Sequence, residues 1–245
     1  LPSLGVLGFL SALIVLEPDL GTTIMLCVIF GAVYFSAGAR IVHVAAVGAV
    51  MIAVAGAMVL FAPWRMERIM AFVDPFKHSD DAGYQVVQSL YAIGSGGIFG
   101  EGFAKGQQKL FYLPYPYSDF IFSVVGEEFG LIGTLAVVVM FGLFLWRGTQ
   151  AAVTATDRFG MLLGIGITIG IVVQALFNIS VVISILPAKG IPLPFISYGG
   201  SSVLVTLAAV GILLSISRGV TAEKEKERPF IEPPVRRKKA RAAGR

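Results

Sequence analysis

The stretch SDFIFSVVGEEFGLIGTLAVVVMFGLFLW, residues 118–146, decides the fold. Asp119 is its second residue. Two further acids, Glu127 and Glu128, interrupt an apolar block that is long enough to cross a bilayer as a helix. Six such blocks span the bilayer or nearly do so: residues 4–16, 22–38, 42–62, 120–146, 160–186 and 201–217. The sequence therefore predicts an all-α protein, a polytopic bundle of six transmembrane helices with one long outer loop over residues 63–119.

The composition supports a membrane protein. Hydrophobic residues make up 56% of the chain and charged residues 14%, whereas a soluble domain carries about a quarter charged residues. The excess positive charge lies in residues 221–245, which hold nine Lys or Arg and four Glu. This distribution gives no nucleic-acid signature in the body and predicts a disordered basic tail over residues 221–245. A lone cysteine, Cys27, excludes a disulfide within the chain, and two distant histidines give no support to a Cys/His metal site.

Residues 1–220 are predicted to form one membrane domain. If the six blocks alternate, the basic residues of the short loops fall on the same side as the tail, and that side is cytoplasmic by the positive-inside rule. These residues are Arg40, Arg147 and Arg158. The chain starts at Leu1 without a cationic leader, so we expect a fragment whose N-terminal spans are missing.

Asp119 has two interpretations. Either Ser118 or Asp119 caps the helix that follows, or Asp119 is a general base at the outer mouth of the bundle; both hold if Ser118 is the cap. Glu127 would lie about 12 Å further along the helix, at a depth where acids face a bundle interior or a water-filled cavity. Eight residues turn a helix about 80° beyond full turns, so Asp119 and Glu127 can border one cavity. The alternative is that one glutamate pairs with a basic residue on another span.

Other polar residues have weaker signals. Gln174 and Asn178 share a helical face, and hydrogen bonding between helices explains them best. Lys189 could balance a phosphate or could extend to the membrane interface, and both interpretations stay open. Tyr84, Val87 and Tyr91 lie at helical spacing and predict a short helix on the bilayer surface.

The outer loop also carries cations that suit an anionic lipid headgroup, although solvated surface charge is the alternative for some of them. They are Arg65, Arg68, Lys105 and Lys109.

Four motifs carry a resemblance to a known family: EPDLGTT (17–23), GYQVVQSLYAIG (83–94), QKLFYLP followed by YSDFIFSVVGEEFG (within 108–130), and LPAKGIPLPFISYGGSS (186–202). With these motifs the chain resembles the SEDS family (FtsW, RodA and SpoVE), bacterial peptidoglycan glycosyltransferases, from about residue 4 to 218. The resemblance is greatest to FtsW and SpoVE. Members of the family have ten spans, so the six found here would be the last six.

The resemblance implies a glycosyltransferase that polymerises lipid II, a disaccharide-pentapeptide on undecaprenyl pyrophosphate, at the outer face of the bacterial cytoplasmic membrane. It would serve cell division, cell shape or sporulation. The aspartate of the family's TDFIF motif is catalytic, and Asp119 in SDFIF matches it. As general base it would take the proton of the acceptor sugar hydroxyl. A divalent cation such as Mg²⁺ or Mn²⁺ could assist the leaving pyrophosphate, and no organic cofactor is expected.

The partners that the resemblance implies are lipid II, membrane lipids and a class B penicillin-binding protein. The candidate substrate-binding residues are Arg68, Gln88, Lys109, Ser118, Glu127, Lys189 and Ser201. The chain departs from the family at residues 115–118, where Tyr-Pro-Tyr-Ser stands in place of Glu-Ala-His-Thr.

Two other functions stay open, a lipid II flippase and a non-catalytic scaffold that recruits the penicillin-binding protein. An Asp119 at the outer mouth favours polymerisation, and a polar path through the whole bundle would favour transport. The departure at residues 115–118 keeps the scaffold hypothesis open.

Overall fold

The computed structural model describes residues 2–17, 19–80 and 83–226, and these residues form helices and connecting turns without a β-strand. The helices are α1 (Pro2–Leu16), α2 (Leu20–Ser36), α3 (Ile41–Leu60), α4 (Pro63–Val73), α5 (Tyr84–Gly96), α6 (Gln108–Phe111), α7 (Ile121–Val153), α8 (Arg158–Val182) and α9 (Gly200–Lys226), with a 3₁₀ turn at Pro75–His78. The predicted all-α fold is confirmed.

Each of the six predicted apolar blocks coincides with a helix. Four helices of the described chain are long and apolar enough to cross a membrane: α3, α7, α8 and the part of α9 that covers Gly200–Arg218. The first two, α1 and α2, are shorter, with 15 and 17 residues. The chain is therefore a multi-pass membrane protein.

The structure changes the expectation for the first residues of the predicted tail, whereas the boundary of the membrane domain at residue 220 stays a prediction. Helix α9 continues to Lys226, so residues 221–226 are helical and do not belong to a disordered tail. Residues 227–245, which hold the rest of the predicted basic tail, lie outside the described residues.

Close packing between α7 and α8 depends on small residues. A Cβ added at Gly148 would lie 2.5 Å from Thr168 Oγ1, and one added at Gly164 would lie 2.8 Å from Ala152 Cβ. Small residues allow helix backbones to approach closely in membranes, where there is no hydrophobic driving force between helices. This contact fixes α8 against α7, and α8 in turn holds the polar residues near its C-terminal end.

Helix α7 is broken at Gly130, whose φ of 63° and ψ of −158° lie outside the helical region. The residues after the break, 131–153, rise about 34 Å at 1.5 Å each and can cross the hydrocarbon layer by themselves. Phe122 and Val124 before the break share one hydrophobic cluster with Val137 and Phe141 after it. The candidate span of the structure, Ile121–Val153, contains the break. If the crossing starts after the break, at residue 131, Glu127 lies before it.

The segment of residues 97–102, called the glycine loop below, satisfies the backbone groups that the break in α7 exposes. The Leu131 N–H donates to the Gly97 carbonyl at 2.9 Å, and the Glu101 N–H donates to the Glu127 carbonyl at 2.9 Å. A Cβ added at Gly100 would lie 2.1 Å from the Glu128 carbonyl oxygen. Glycine is needed there because the two backbones touch.

The outer loop over residues 63–119 contains α4, the 3₁₀ turn, α5 and α6 and is more structured than predicted. The helix expected on the bilayer surface exists as α5, but it packs into the protein: Val87 is 3% exposed. The Ser89 hydroxyl donates to the Val182 carbonyl at 2.8 Å. Helix α5 therefore lies against the C-terminal end of α8 and helps to form the site described next.

Candidate functional site

A pocket of about 640 Å³ opens where the start of α7 meets the connection between α8 and α9. It is built by segments that are far apart in the chain. The lining residues are Trp64, Glu67, Arg68, Asp80, Tyr84, Gln85, Pro114, Tyr115, Asp119, Phe120, Ala188, Lys189 and Gly190. Of the residues predicted from the sequence, the pocket brings together Asp119, Arg68 and Lys189.

Asp119 contributes a partly exposed carboxylate to the pocket. The capping residue of α7 is Phe120, which makes no side-chain cap, so the prediction that Ser118 or Asp119 caps this helix is wrong. None of the described residues donates a hydrogen bond to the Asp119 carboxylate. A Cβ added at Gly190 would lie 2.7 Å from Asp119 Oδ2, so glycine at this position leaves room for the carboxylate.

Asn178 fixes the backbone on both sides of the pocket. Its Nδ2 donates to the Asp119 carbonyl and to the Ile191 carbonyl, each at 2.7 Å. One turn earlier, Gln174 Nε2 donates to the Pro192 carbonyl at 2.8 Å. The predicted hydrogen bonding between helices is therefore wrong for this pair, because both amides hold irregular backbone segments at the C-terminal end of α8.

Lys189 forms an ion pair with Asp19, the residue before α2. Asp19 also accepts hydrogen bonds from the Thr22 N–H at 2.9 Å and from the Thr22 hydroxyl at 2.8 Å. Partial burial works to raise the pKa of Asp19, but the hydrogen bonds from Lys189 and Thr22 outweigh it and hold the pKa below its ordinary value of 3.8. Asp19 is therefore ionised at neutral pH.

Asp19 was not among the residues predicted for the site, although it belongs to the EPDLGTT motif. The two sequence-based interpretations of Lys189, a phosphate ligand and an interfacial cation, both overlooked its ion pair with Asp19. The stem of Lys189 passes over Gly21, where an added Cβ would lie 2.5 Å from Lys189 Cδ. The motif therefore supplies both the acid and the space for the lysine.

Helix α4 brings a cation and an aromatic ring to the pocket. The Arg68 guanidinium lies 5.5 Å from the centre of the Trp64 ring, which holds the guanidinium at an exposed position through a cation–π contact. Arg65 also stacks on Trp64, at 4.8 Å, but it does not line the pocket. The aromatic member of this pair was missed in the sequence, because a single tryptophan at the start of a polar segment gives no signal of its own.

Glu127 does not line the pocket, so the expectation that it borders a cavity with Asp119 is wrong. Glu127 is 1% exposed, and its Oε1 accepts hydrogen bonds from the Gln107 N–H at 2.7 Å and the Gln108 N–H at 3.0 Å. Its carboxylate therefore caps the start of α6. A buried carboxylate commonly accepts backbone N–H groups in this way.

Lys109 also lies away from the pocket, since its ammonium pairs with Glu128. This ion pair agrees with the alternative that one glutamate pairs with a basic residue, but the lysine comes from α6 and not from another span. The ion pair between Lys109 and Glu128 therefore attaches α6 to α7. A role of Lys109 in binding an anionic headgroup would require this pair to open.

The other three predicted residues lie outside the pocket. Gln88 is half-buried on α5, and Ser201 is exposed in the first turn of α9. The Ser118 hydroxyl donates to the Tyr115 carbonyl of its own turn at 3.4 Å. Their roles as substrate ligands stay predictions.

The pocket has few donors for a metal ion. No group of three or more His, Cys, Asp or Glu side chains comes together in the described part of the chain. The carboxylates of the lining are Glu67, Asp80 and Asp119. Because Mg²⁺ is usually held by one or two carboxylates together with substrate phosphates, these residues suit a divalent cation only when a phosphate ligand completes its coordination.

Comparison of the sequence with known proteins gives matches over most of the chain. The profile of FTSW_RODA_SPOVE, described as "Cell cycle protein", matches residues 1–222. "Stage V sporulation protein E" of Bacillus subtilis is 43% identical over 220 residues, which cover 89% of this chain and 59% of the relative. A protein of Trichlorobacter lovleyi named "Probable peptidoglycan glycosyltransferase FtsW" is 42% identical over 220 residues, which cover 90% of this chain and 58% of the relative. The chain thus spans less than two thirds of the length of these curated relatives.

Two solved structures are similar to the fold. A chain of the structure described as "Structural coordination of polymerization and crosslinking by a peptidoglycan synthase complex" gives a TM-score of 0.68 at 25% identity, covering 86% of this chain and 59% of that chain. A mutant of the rod shape determining protein RodA from Thermus thermophilus gives a TM-score of 0.55 at 26% identity. The match covers 85% of this chain and 53% of that chain.

Proposed function

The chain belongs to the FTSW_RODA_SPOVE family, and from this premise we propose that it carries the active site of a peptidoglycan glycosyltransferase. The substrate is lipid II, and the reaction takes place at the outer face of the bacterial cytoplasmic membrane, with the end of α9 in the cytoplasm. One observation carries the proposal. The Asp119 carboxylate has no hydrogen-bond partner among the described residues, and it lies in a pocket of about 640 Å³ with the cations Arg68 and Lys189.

In this proposal Asp119 is the general base. It accepts the proton of the acceptor sugar hydroxyl while that oxygen forms a bond to the anomeric carbon of the donor. The bond from the anomeric carbon to the lipid pyrophosphate breaks, and the pyrophosphate leaves with the electron pair. A second carboxylate as acid is not required, because pyrophosphate is a good leaving group; the two-carboxylate arrangement of glycosidases therefore does not apply.

The cations of the pocket suit the pyrophosphate. Arg68 has a planar guanidinium that forms paired hydrogen bonds with phosphate oxygens, and its exposed position leaves it accessible to a headgroup. A divalent ion would add positive charge if it were held by a pocket carboxylate and the phosphates together. The proton transfer to Asp119 does not depend on such an ion.

The experiment that tests the proposal measures lipid II polymerisation by the full-length protein with its class B penicillin-binding protein. We expect Asp119→Asn to lower the rate at least about 100-fold, since a positioned general base contributes about 10²- to 10⁴-fold. The melting temperature and the yield of the complex should not change, because the Asp119 carbonyl that Asn178 holds is unaffected. Unchanged polymer from this variant would contradict the proposal.

Glu101→Gln is a matched control. It removes one negative charge from an exposed side chain of the same outer segment, and Glu101 does not line the pocket. We expect this control to polymerise lipid II at the wild-type rate, so a loss that is specific to Asp119→Asn cannot come from the change in surface charge.

The proposed partner is a class B penicillin-binding protein, and the similarity to a chain of a peptidoglycan synthase complex supports it. The flippase and the scaffold hypotheses have no observation of their own in the described residues. The departure from the family motif at residues 115–118 leaves the Asp119 carboxylate in the pocket, as the glycosyltransferase requires. Measuring lipid II transport in proteoliposomes beside polymerisation separates the flippase from the polymerase.

A further inference from the structure

Lys189 pairs with one carboxylate and lines the same pocket as a second, and the two acids come from distant parts of the chain. Its ammonium pairs with Asp19. The next residue, Gly190, is so close to Asp119 that an added Cβ would lie 2.7 Å from Asp119 Oδ2. Lys189 and Asp119 line the same pocket, and a lysine has a flexible four-carbon stem. In this structure the ammonium pairs with Asp19 and not with Asp119.

The selection depends on how firmly Asp19 is held. Asp19 precedes α2, and the Thr22 N–H and hydroxyl both donate to its carboxylate. These bonds hold both carboxylate oxygens of Asp19 in place, so Asp19 loses little further side-chain entropy when it pairs with Lys189. The absence of a side chain at Gly21 opens the path that the Lys189 stem takes to Asp19. Asp119 has no comparable support for its carboxylate.

The consequence concerns the charge beside Asp119. An ammonium ion paired with a carboxylate favours the ionised form of that carboxylate and makes it a weaker acceptor of protons. The other charged residues that line the pocket with Asp119 are Glu67, Arg68 and Asp80. Of the two cations in the lining, only Lys189 is adjacent in sequence to the glycine that touches Asp119.

We propose that Asp19 is a positioning residue, which keeps the Lys189 ammonium away from Asp119 and leaves the Asp119 carboxylate unpaired. This role rests on the proposed function, in which Asp119 is the base. Asp19 itself does not contact the reacting atoms. Its effect on the reaction passes through Lys189, and this dependence makes the proposal testable with two substitutions.

The first test compares lipid II polymerisation by three variants of the full-length protein with its partner: Asp19→Asn, Lys189→Met, and both together. We expect Asp19→Asn to lower kcat at least tenfold with little change in KM, because the released lysine pairs with Asp119. Because Lys189 is also a cation of the pocket, Lys189→Met alone is the reference for the double variant, and adding Asp19→Asn to it should leave its kcat unchanged. An Asp19→Asn substitution that lowers kcat by the same factor with and without Lys189, or an Asp19→Asn variant with wild-type kcat, would overturn the proposal.

The second test does not need activity. A carbodiimide joins a carboxylate to an amine that already contacts it, and mass spectrometry of the digested protein identifies the joined residues. We expect a Lys189–Asp19 amide in the wild type and a Lys189–Asp119 amide in Asp19→Asn. The Asp19→Asn/Asp119→Asn variant, which lacks both acids, should give neither product.

The two tests fail in different ways. If the wild type does not polymerise lipid II, the proposed function is wrong, and the crosslink still reports whether Asp19 determines the partner of Lys189. If Asp19→Asn gives no Lys189–Asp119 product, the lysine does not move to Asp119, and the positioning role is overturned even in an active enzyme.

Discussion

Gly190 leaves the space that the Asp119 carboxylate occupies, because it has no side chain. A Cβ at this position would approach Asp119 Oδ2 to 2.7 Å, a contact that the end of an aspartate side chain relieves by rotating away. Gly190→Ala should therefore change the melting temperature little and lower the rate of polymerisation at least tenfold, since small displacements of a reacting group cost large factors in rate. Lipid II turnover and thermal unfolding of the same preparation check this.

Gly200→Ala is the control for that substitution. No atom lies within 4 Å of a Cβ added at Gly200, which starts α9 beyond the same connecting segment. We expect wild-type turnover from Gly200→Ala. If both alanine variants lost activity equally, stiffening of the segment would explain the loss better than displacement of Asp119.

At the scale of residues the sequence predicted part of the site. Asp119, Arg68 and Lys189 were singled out and do line the pocket, whereas their chemical roles stay predictions. Asp19 was missed because its partner lies 170 residues away, and helical spacing reports only neighbours within one element. The expectation for Glu127 failed for a related reason. Helical geometry predicts the side of the helix on which Glu127 lies, but it does not predict which segment of the chain packs against that side.

Gly130 controls the element that starts beside Asp119. Its φ of 63° and ψ of −158° are open almost only to glycine, and an added Cβ would lie 2.5 Å from the Gly100 nitrogen and the Ile98 carbonyl oxygen. Gly130→Ala should therefore destabilise the protein by at least about 1–3 kcal/mol, the cost of a strained backbone position. A fall in melting temperature in nanodiscs measures it.

Gly142→Ala provides the comparison within the same helix. A Cβ at Gly142 meets no atom within 4 Å, and alanine favours a helix over glycine by about 1 kcal/mol. The melting temperature of this variant should equal or exceed that of the wild type. Equal destabilisation by both substitutions would show that the break at Gly130 is not the source of the effect.

At the scale of elements, the six apolar blocks located α1, α2, α3, α7, α8 and α9, because a bilayer imposes a minimum apolar length on the sequence of a helix that crosses it. The break in α7 was not predicted. Gly130 lies two residues after Glu128, where the apolar block resumes, and an isolated glycine inside a helical pattern is usually tolerated. The φ and ψ of Gly130 and the backbone bonds from the glycine loop show the break in the structure.

The whole molecule has a defined direction in the membrane if residues 131–153 form a span. The outer segment that holds Lys105 and the turn that holds Thr156 must then lie on opposite sides of the membrane. In a full-length protein whose native cysteines, Cys27 included, are replaced, an impermeant maleimide should label Lys105→Cys in intact spheroplasts. Thr156→Cys should be labelled only after lysis; labelling before lysis would contradict the proposed orientation.

At this scale the sequence predicted the class of protein but not the pocket. Membrane character follows from a 56% hydrophobic composition, a sum over residues that needs no coordinates. The pocket depends on which segments of α4, α5, α7 and the connection after α8 meet, and no local pattern determines such meetings.

The single nitrogen of Asn178 that holds both Asp119 and Ile191 has a practical consequence for anyone who redesigns this protein. The segment before α7 and the segment after α8, which form two walls of the pocket, cannot be engineered separately. A loop graft that shifts the backbone at position 191 also displaces the backbone at position 119. Replacing the amide with aspartate would turn a shared donor into an acceptor that faces two carbonyl oxygens. Libraries that vary one wall should therefore keep asparagine at 178 and vary both walls together.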